Sequence, residues 1–314
     1  MKYRITHTTY YHYSQVVGLC QNEARLLVRD FWRQQCLSSY FEIHPLPFDM
    51  RERIDYFGNR VAYFSIQQPH THLEVTAINE VTINRPTVQW LTASQFSWEQ
   101  VVQQFLAMPA IGGYPTSSDL AHNPQIEIKT STEEFMAARY FLLDSPMITT
   151  SASLAEYALA SFTPNRPILE AVQDLMTRIF TEFTYAPSST TIATPLSDVL
   201  LYRRGVCQDF AHLAIGCLRS FGLAARYVSG YVETQPPTGQ ARLVGADASH
   251  AWFAVYVPLL GWIDFDPTNN KIPSDQHITL AWGRDYTDVT PLKGIALGGG
   301  RHSLTVAVDV LRLV

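Results

Sequence analysis

The stretch RRGVCQDFAHLAIGCLRSFG, residues 203–222, places two cysteines in one predicted helix. Val206, Phe210, Leu213, Ala214, Cys217, Leu218 and Phe221 recur at spacings of three and four, so this helix buries an apolar stripe and Gly222 stops it. Cys217 belongs to that stripe and reads as a packing residue, the ordinary fate of a free cysteine. Cys207 lies outside it, in the first turn, where unpaired N–H groups and the helix dipole favour an anion. That position favours the thiolate, the nucleophilic form of cysteine. Gly205, just upstream, leaves room for a substrate backbone to approach.

A thiolate nucleophile needs a base, and the base needs a group to orient it. Downstream, SHAWFAVYVPLLGWIDFDPTNN supplies both. His250, Trp252, Ala254 and Tyr256 share one face of a predicted strand, whose other face is apolar. Pro258 to Gly261 turns the chain into a second strand, where Trp262, Asp264 and Asp266 alternate with Ile263 and Phe265. A hairpin centred on Pro258 or Leu259 pairs positions summing to about 516 or 518, which sets His250 across from Asp266 or Thr268. Asp264 then lies a further two residues away, roughly 7 Å. The arithmetic favours Asp266 as the partner of His250, and a bulge or a longer loop transfers the role to Asp264.

The elements that position these groups fall into four stretches. Residues 1–85 read as short strands. Tyr3 to Tyr13 alternate with period two, EARLLVRDF, LSSYFEIHPL, VAYFSI and HLEVTAINEVTI follow, and Gly58-Asn59 marks a hairpin turn. This predicts an antiparallel β-sandwich-like domain whose His7, His12, His70 and His72 are structural. Residues 86–164 read as a helical connecting region, with a loop-rich stretch near 110–130. Residues 165–270 form a core of helices and strands. There Asn165 and Pro167 open one helix, Thr194 and Pro195 open the next, and Gly205 ends it. Residues 271–314 are a C-terminal extension ending in the strand LTVAVDV. The loop 233–249, with two prolines and two glycines, lies between Cys207 and His250 and is read as a gate.

The chain has 314 residues, enough for about two domains. It is 46% hydrophobic and carries a formal charge of -5 without runs of one sign. That excludes a basic footprint for nucleic acid or an anionic membrane. Neither an apolar span of about 18 residues nor a signal-peptide pattern is visible, so a cytoplasmic location is expected, with no membrane partner. Four cysteines without a CxxC pair are expected to be free thiols. A zinc site from Cys207, His212 and Cys217 fails on helix geometry, since five positions turn His212 about 140° away from Cys207. No metal and no cofactor are expected.

A cysteine at a helix start, followed by histidine and aspartate on adjacent antiparallel strands, is the order of papain-like thiol enzymes. GVCQDFAH, ARYVSGY and SHAWFAVYVPLLGWIDFDPTNN, in this order, resemble the transglutaminase-like superfamily, in particular its bacterial members described as cysteine proteases. YRITHTTYYHYS and DYFGNRVAYF resemble the N-terminal domain of those bacterial proteins, and RDYTDVTPLKGIALGGGRHSLTVAVDV resembles their tail. The resemblance implies an α+β fold, in which an N-terminal antiparallel β-sandwich-like domain precedes a papain-like, transglutaminase-like core of helices packed on an antiparallel sheet. It implies Cys207 as nucleophile, His250 as general base and acid, and Asp266 as the orienting acid. The backbone N–H at Cys207 is one oxyanion donor and the Tyr185 side chain a candidate second, although Tyr185 reads equally as a core aromatic. Gln208 and Trp252 join Gly205 as cleft candidates, with packing the competing role of Trp252 and His212. The expected activity is hydrolysis of a peptide or isopeptide bond through a thioester. Transfer of the acyl group to an amine is the alternative, and a non-catalytic binding module a further one. A peptide or protein is the expected partner, and the sequence leaves the oligomeric state open.

Overall fold

The alternation that starts at Tyr3 does not stop at Tyr13: strand β1 (Lys2–Ala24) runs for 23 residues. The computed structural model describes residues 1–84, 96–107, 132–187, 189–233 and 249–313. The loop-rich stretch expected at 110–130 and most of the expected gate, 234–248, lie outside them.

β1 is flanked on one side by β4 (Arg60–Ile66) and β5 (His70–Ile83), and on the other by β12 (Leu292–Gly298) and β13 (His302–Leu313). Its first half, from Lys2 to His12, pairs with β5 and β13, and its second half, from Cys20 to Ala24, with β4 and β12. The β4/β5 flank breaks between the partners of Val17 and Cys20, and the β12/β13 flank between those of Tyr13 and Val17. On one flank the break is Gln67 to Pro69; on the other it is Gly298, Gly299 and Gly300, all with positive φ. A Cβ on Gly298 would lie 2.6 Å from the Val16 carbonyl oxygen, so this crossing admits only glycine. β2 (Gln34–His44) and β3 (Asp49–Ile54) complete a seven-stranded antiparallel sheet. Of the residues expected to form a C-terminal extension, 292–298 and 302–313 are thus integral strands of the first sheet. The turn near Gly58-Asn59 is also longer than a tight hairpin. It spans residues 55–59 and is held by the Asp55 carboxylate, which accepts from the N–H groups of Phe57 and Asn59, both at 2.9 Å.

By contacts the chain divides into two compact units, one of residues 1–87, 228–251 and 273–314, the other of residues 88–227 and 252–272. The first unit holds the sheet just described, the end of β8 (Ala225–Val232), β11 (His277–Gly283) and a short helix. Its core gathers Tyr3, Ile5, Phe64, Val75 and Val310 with Tyr231, Ile278 and Leu280. His7 is enclosed here, 3.0 Å from the Tyr231 hydroxyl and 3.3 Å from Thr9 Oγ1, and burial pulls its pKa down to about 4. The folded state therefore binds this proton later than the unfolded chain, whose histidine titrates near 6.5, and stability falls as pH drops from about 6.5 to 4, by about 3 kcal/mol at most. We expect urea unfolding to show this acid loss and His7→Gln to flatten it. An identical difference in stability between pH 7 and pH 4.5 in the variant would refute the assignment.

The second unit carries α1 (Trp98–Leu106), α2 (Thr132–Ala138), α3 (Ala152–Leu159), α4 (Ile168–Glu182), α5 (Leu196–Tyr202) and α6 (Cys207–Ser220). It also holds the short parallel pair β6 (Thr184–Tyr185) and β7 (Arg204–Gly205), most of β9 (Ser249–Val257), and β10 (Gly261–Phe265). A four-stranded sheet has the order β10-β9-β8-β11.

Two helix ends differ from the sequence reading. α4 starts after Pro167, with Asn165 left-handed before it, and α5 closes on a left-handed Arg203 rather than on Gly205. α6 differs more, since every residue from Asp209 to Arg219 is buried. Its second face packs on other helices: a Cβ on Gly216 would meet Leu154 at 2.9 Å and Leu196 at 3.2 Å. Arg219 survives burial by donating to the carbonyls of Phe141 and Ala225 and to the Ser145 hydroxyl.

Candidate active site

Cys207 is the first residue of α6, half-buried, where the helix emerges from the core. Ten residues on, Cys217 is enclosed and its thiol is pushed up to about 12 by burial, so the packing role read for it holds. The helix start is clamped by Asp209 in its first turn. One oxygen of that carboxylate, Oδ2, accepts from the Val206 N–H at 2.8 Å and from the Thr190 hydroxyl at 2.6 Å. Burial raises the Asp209 pKa against these two hydrogen bonds.

The Asp209 side chain fills the space a Cβ would take on Gly205, 2.7 Å from its own Cβ. Gly205 is thus required by a neighbour within the chain, and the room expected there for a substrate backbone is occupied. Gly205→Ala is expected to cost about 1–3 kcal/mol by overpacking, read as a lowered unfolding midpoint; a midpoint equal to wild type would sink this reading.

Tyr185 sits on β6, paired with Gly205 on β7, and the Ala186 N–H donates to the Gly205 carbonyl at 2.9 Å. It is not a core aromatic. Its side chain is 53% exposed, edge-on to Phe210 at 6.5 Å, and its hydroxyl is raised first by burial and then by the charge of Cys207. The structure therefore brings Tyr185, Gly205, Cys207 and the half-buried Gln208 to one end of α6.

β9 and β10 pair with residues summing to 518: Gly261 faces Val257, Asp264 faces Ala254 and Phe265 faces Phe253. The ladder ends there. Asp266 is fully buried and turns the chain, accepting from the N–H groups of Thr268 and Asn269 and from Asn269 Nδ2 at 2.8 Å. Of the two predicted registers, the sum of 518 is the one observed over the five pairs of the ladder. Trp252 is fully buried, a packing residue rather than a cleft wall. His212 packs too, its ring 4.9 Å from that of Tyr227. His250 belongs to the first unit by contacts, with its ring 6.4 Å from that of buried His277. His277 and Thr190 escape sequence reading: a β-strand histidine and a loop threonine carry no spacing signal. Among the described residues no group of three or more His, Cys, Asp or Glu side chains is placed to hold a metal ion.

Comparison with known proteins bears on the family. Residues 3–82 match the model of the bacterial transglutaminase-like N-terminal region, and residues 155–267 match that of the transglutaminase-like superfamily. An uncharacterized protein of Mycobacterium tuberculosis is 40% identical over 99% of this chain and 92% of its own length. The chain belongs to the transglutaminase-like superfamily. A solved structure from Cytophaga hutchinsonii, provisionally described as a cysteine protease, shares this transglutaminase-like fold at a TM-score of 0.72, with 20% identity over 99% of this chain and 90% of that one. The protein-glutamine gamma-glutamyltransferase of Pseudomonas aeruginosa is 30% identical over 40% of this chain and 21% of its own. The α+β transglutaminase-like architecture read from the sequence is the one observed. Among the described residues no helix is long and apolar enough to cross a membrane.

Proposed function

We propose that this protein is a cysteine-dependent amide-bond hydrolase acting on a peptide or protein. The observation that supports it best is the placement of Cys207, alone of four cysteines, at the start of a buried helix beside the Tyr185 hydroxyl. In this reading the Cys207 sulfur attacks the amide carbonyl and the backbone N–H at Cys207, with Tyr185, holds the oxyanion. His250, oriented by Asp266, takes the thiol proton and gives it to the departing amine, leaving a thioester. Water then adds to the thioester carbon, its proton passes to His250, and the carboxylic acid leaves as the thiolate is restored. No cofactor and no metal enter this scheme. Nucleic acid and membranes are not partners in it, and the location is cytoplasmic, which cell fractionation with an antibody checks.

The test is a single-turnover reaction with an activated peptide ester, stopped in acid and read by intact mass. An acyl adduct on Cys207 that decays in water supports hydrolysis. No adduct on Cys207, with the chain folded, removes the reading in favour of a binding module. One observation favours a second reading, amine transfer: the partial match to the Pseudomonas aeruginosa gamma-glutamyltransferase. Its mark is conversion of the adduct mainly to an amide when a primary amine is added, against free acid for the hydrolase.

A further inference from the structure

The first sheet carries an apolar strip that the fold leaves uncovered. Along LPFDMRERIDY, residues 46–56, Leu46, Phe48, Met50, Ile54 and Tyr56 are 76%, 74%, 40%, 64% and 77% exposed. Met50 and Ile54 on β3, with Phe48 just before it, share the face that continues from Ala62, Phe64 and Ile66 on β4, all three fully buried, and the ion pair of Glu52 with Arg60, at 2.9 Å, interrupts the strip between Met50 and Ile54. The apolar face of the sheet thus extends one strand beyond its cover. β3 is also the end of the strand order β2-β5-β1-β4-β3, and among the described residues no strand pairs with its outer edge. An edge with exposed apolar side chains and free backbone groups is a template for another strand.

The charges on β3 say which strand. We infer that this edge pairs antiparallel with β3 of a second copy of this chain, about a two-fold axis at Arg51. With positions summing to 102, Asp49 faces Arg53 of the second copy and Arg53 faces its Asp49, while Phe48 faces Ile54, Met50 faces Glu52 and Leu46 lies toward Tyr56. One step of two along, at a sum of 104, Asp49 would face Asp55 and Arg51 would face Arg53, like against like. A two-fold pairing is self-complementary, so a single sequence satisfies both halves. Arg51 meets its own copy on the axis, but each Arg51 already holds Asp49 at 3.3 Å, which tempers that contact. Arg53 is half exposed and, among the described residues, is bound by Glu23 at 2.8 Å.

The experiment is light scattering after size exclusion, over a range of concentrations, on wild type and two variants. Wild type is expected at twice the chain mass. Asp49→Arg sets arginine against arginine and Arg53→Asp sets aspartate against aspartate, so each variant alone is expected at the monomer mass, with unfolding midpoints near wild type. Mixed in equal amounts they restore both ion pairs, and the mixture is expected to return to the dimer mass. A wild type that stays monomeric overturns the inference, whether or not the edge takes up a peptide. So does a dimer that persists in both variants, or a mixture that remains monomeric.

Discussion

Cys207→Ala is expected to lower amide hydrolysis by at least about 10³-fold, the scale on which loss of a nucleophile acts, while leaving the unfolding midpoint near wild type. The residue is only partly buried and its side chain holds no core contact comparable to that of Cys217. The same expectation has a reactivity form. With iodoacetamide, followed by peptide mapping, Cys207 should label first, Cys36 later, and Cys20 and Cys217 last. Burial raises all three of the slower thiols, Cys217 most clearly, to about 12. If His250 is the base, His250→Ala should slow labelling of Cys207 near neutral pH and leave Cys36 untouched. Equal labelling of Cys207 in wild type and in His250→Ala would show the pair uncoupled in the resting protein, and the binding-module reading would then lead.

The contrast between those two cysteines was visible in the sequence because it rests on helical periodicity, which three-and-four spacing reports directly. The strand pair of β9 and β10 was visible for the same kind of reason: alternation fixes the shared face, and a turn centred on Pro258 or Leu259 narrows the register to two choices, of which the sum 518 is observed. What escaped depends on chain segments far apart in sequence. No local pattern says that β12 and β13 pair with β1 across nearly the whole chain, since an edge strand satisfies its alternation with any partner. The full burial of α6 escaped likewise. Its second face reads as mixed because Gly216, His212 and Arg219 are small or polar, yet each is accommodated, by close helix approach, by Tyr227 and by two carbonyls. Nor does the spacing of Gly205 and Asp209 reveal that one side chain occupies the other's missing Cβ. That fact reverses the reading of Gly205 from a path for substrate to a socket for Asp209.

This socket makes Asp209 the next residue to change. Asp209→Ala removes the acceptor of the Val206 N–H and of the Thr190 hydroxyl and empties the space beside Gly205. A stability loss of about 2–4 kcal/mol follows from two lost hydrogen bonds and the cavity. Activity should fall further than stability, on the order of 10²-fold, because the clamp ties the residues after Tyr185 to the turn that presents Cys207, and small displacements of reacting groups carry penalties of that size. Asp209→Asn separates position from charge. Both hydrogen bonds end on the same oxygen, so an amide carbonyl placed there accepts both, and the variant should keep wild-type activity. It should also alter the acid limb in a defined direction. Burial raises the Asp209 pKa, so the folded state holds that proton longer, and its carboxylate costs stability as pH rises above the ordinary carboxylate range. Asp209→Asn has no such titration, and its stability relative to wild type should therefore improve from pH 3 to pH 7, opposite in sign to the His7 effect. If Asn proved as damaging as Ala at pH 7, the charge itself would be the working feature, and Asp209 would have to be moved from holding Cys207 in place to acting on its ionisation.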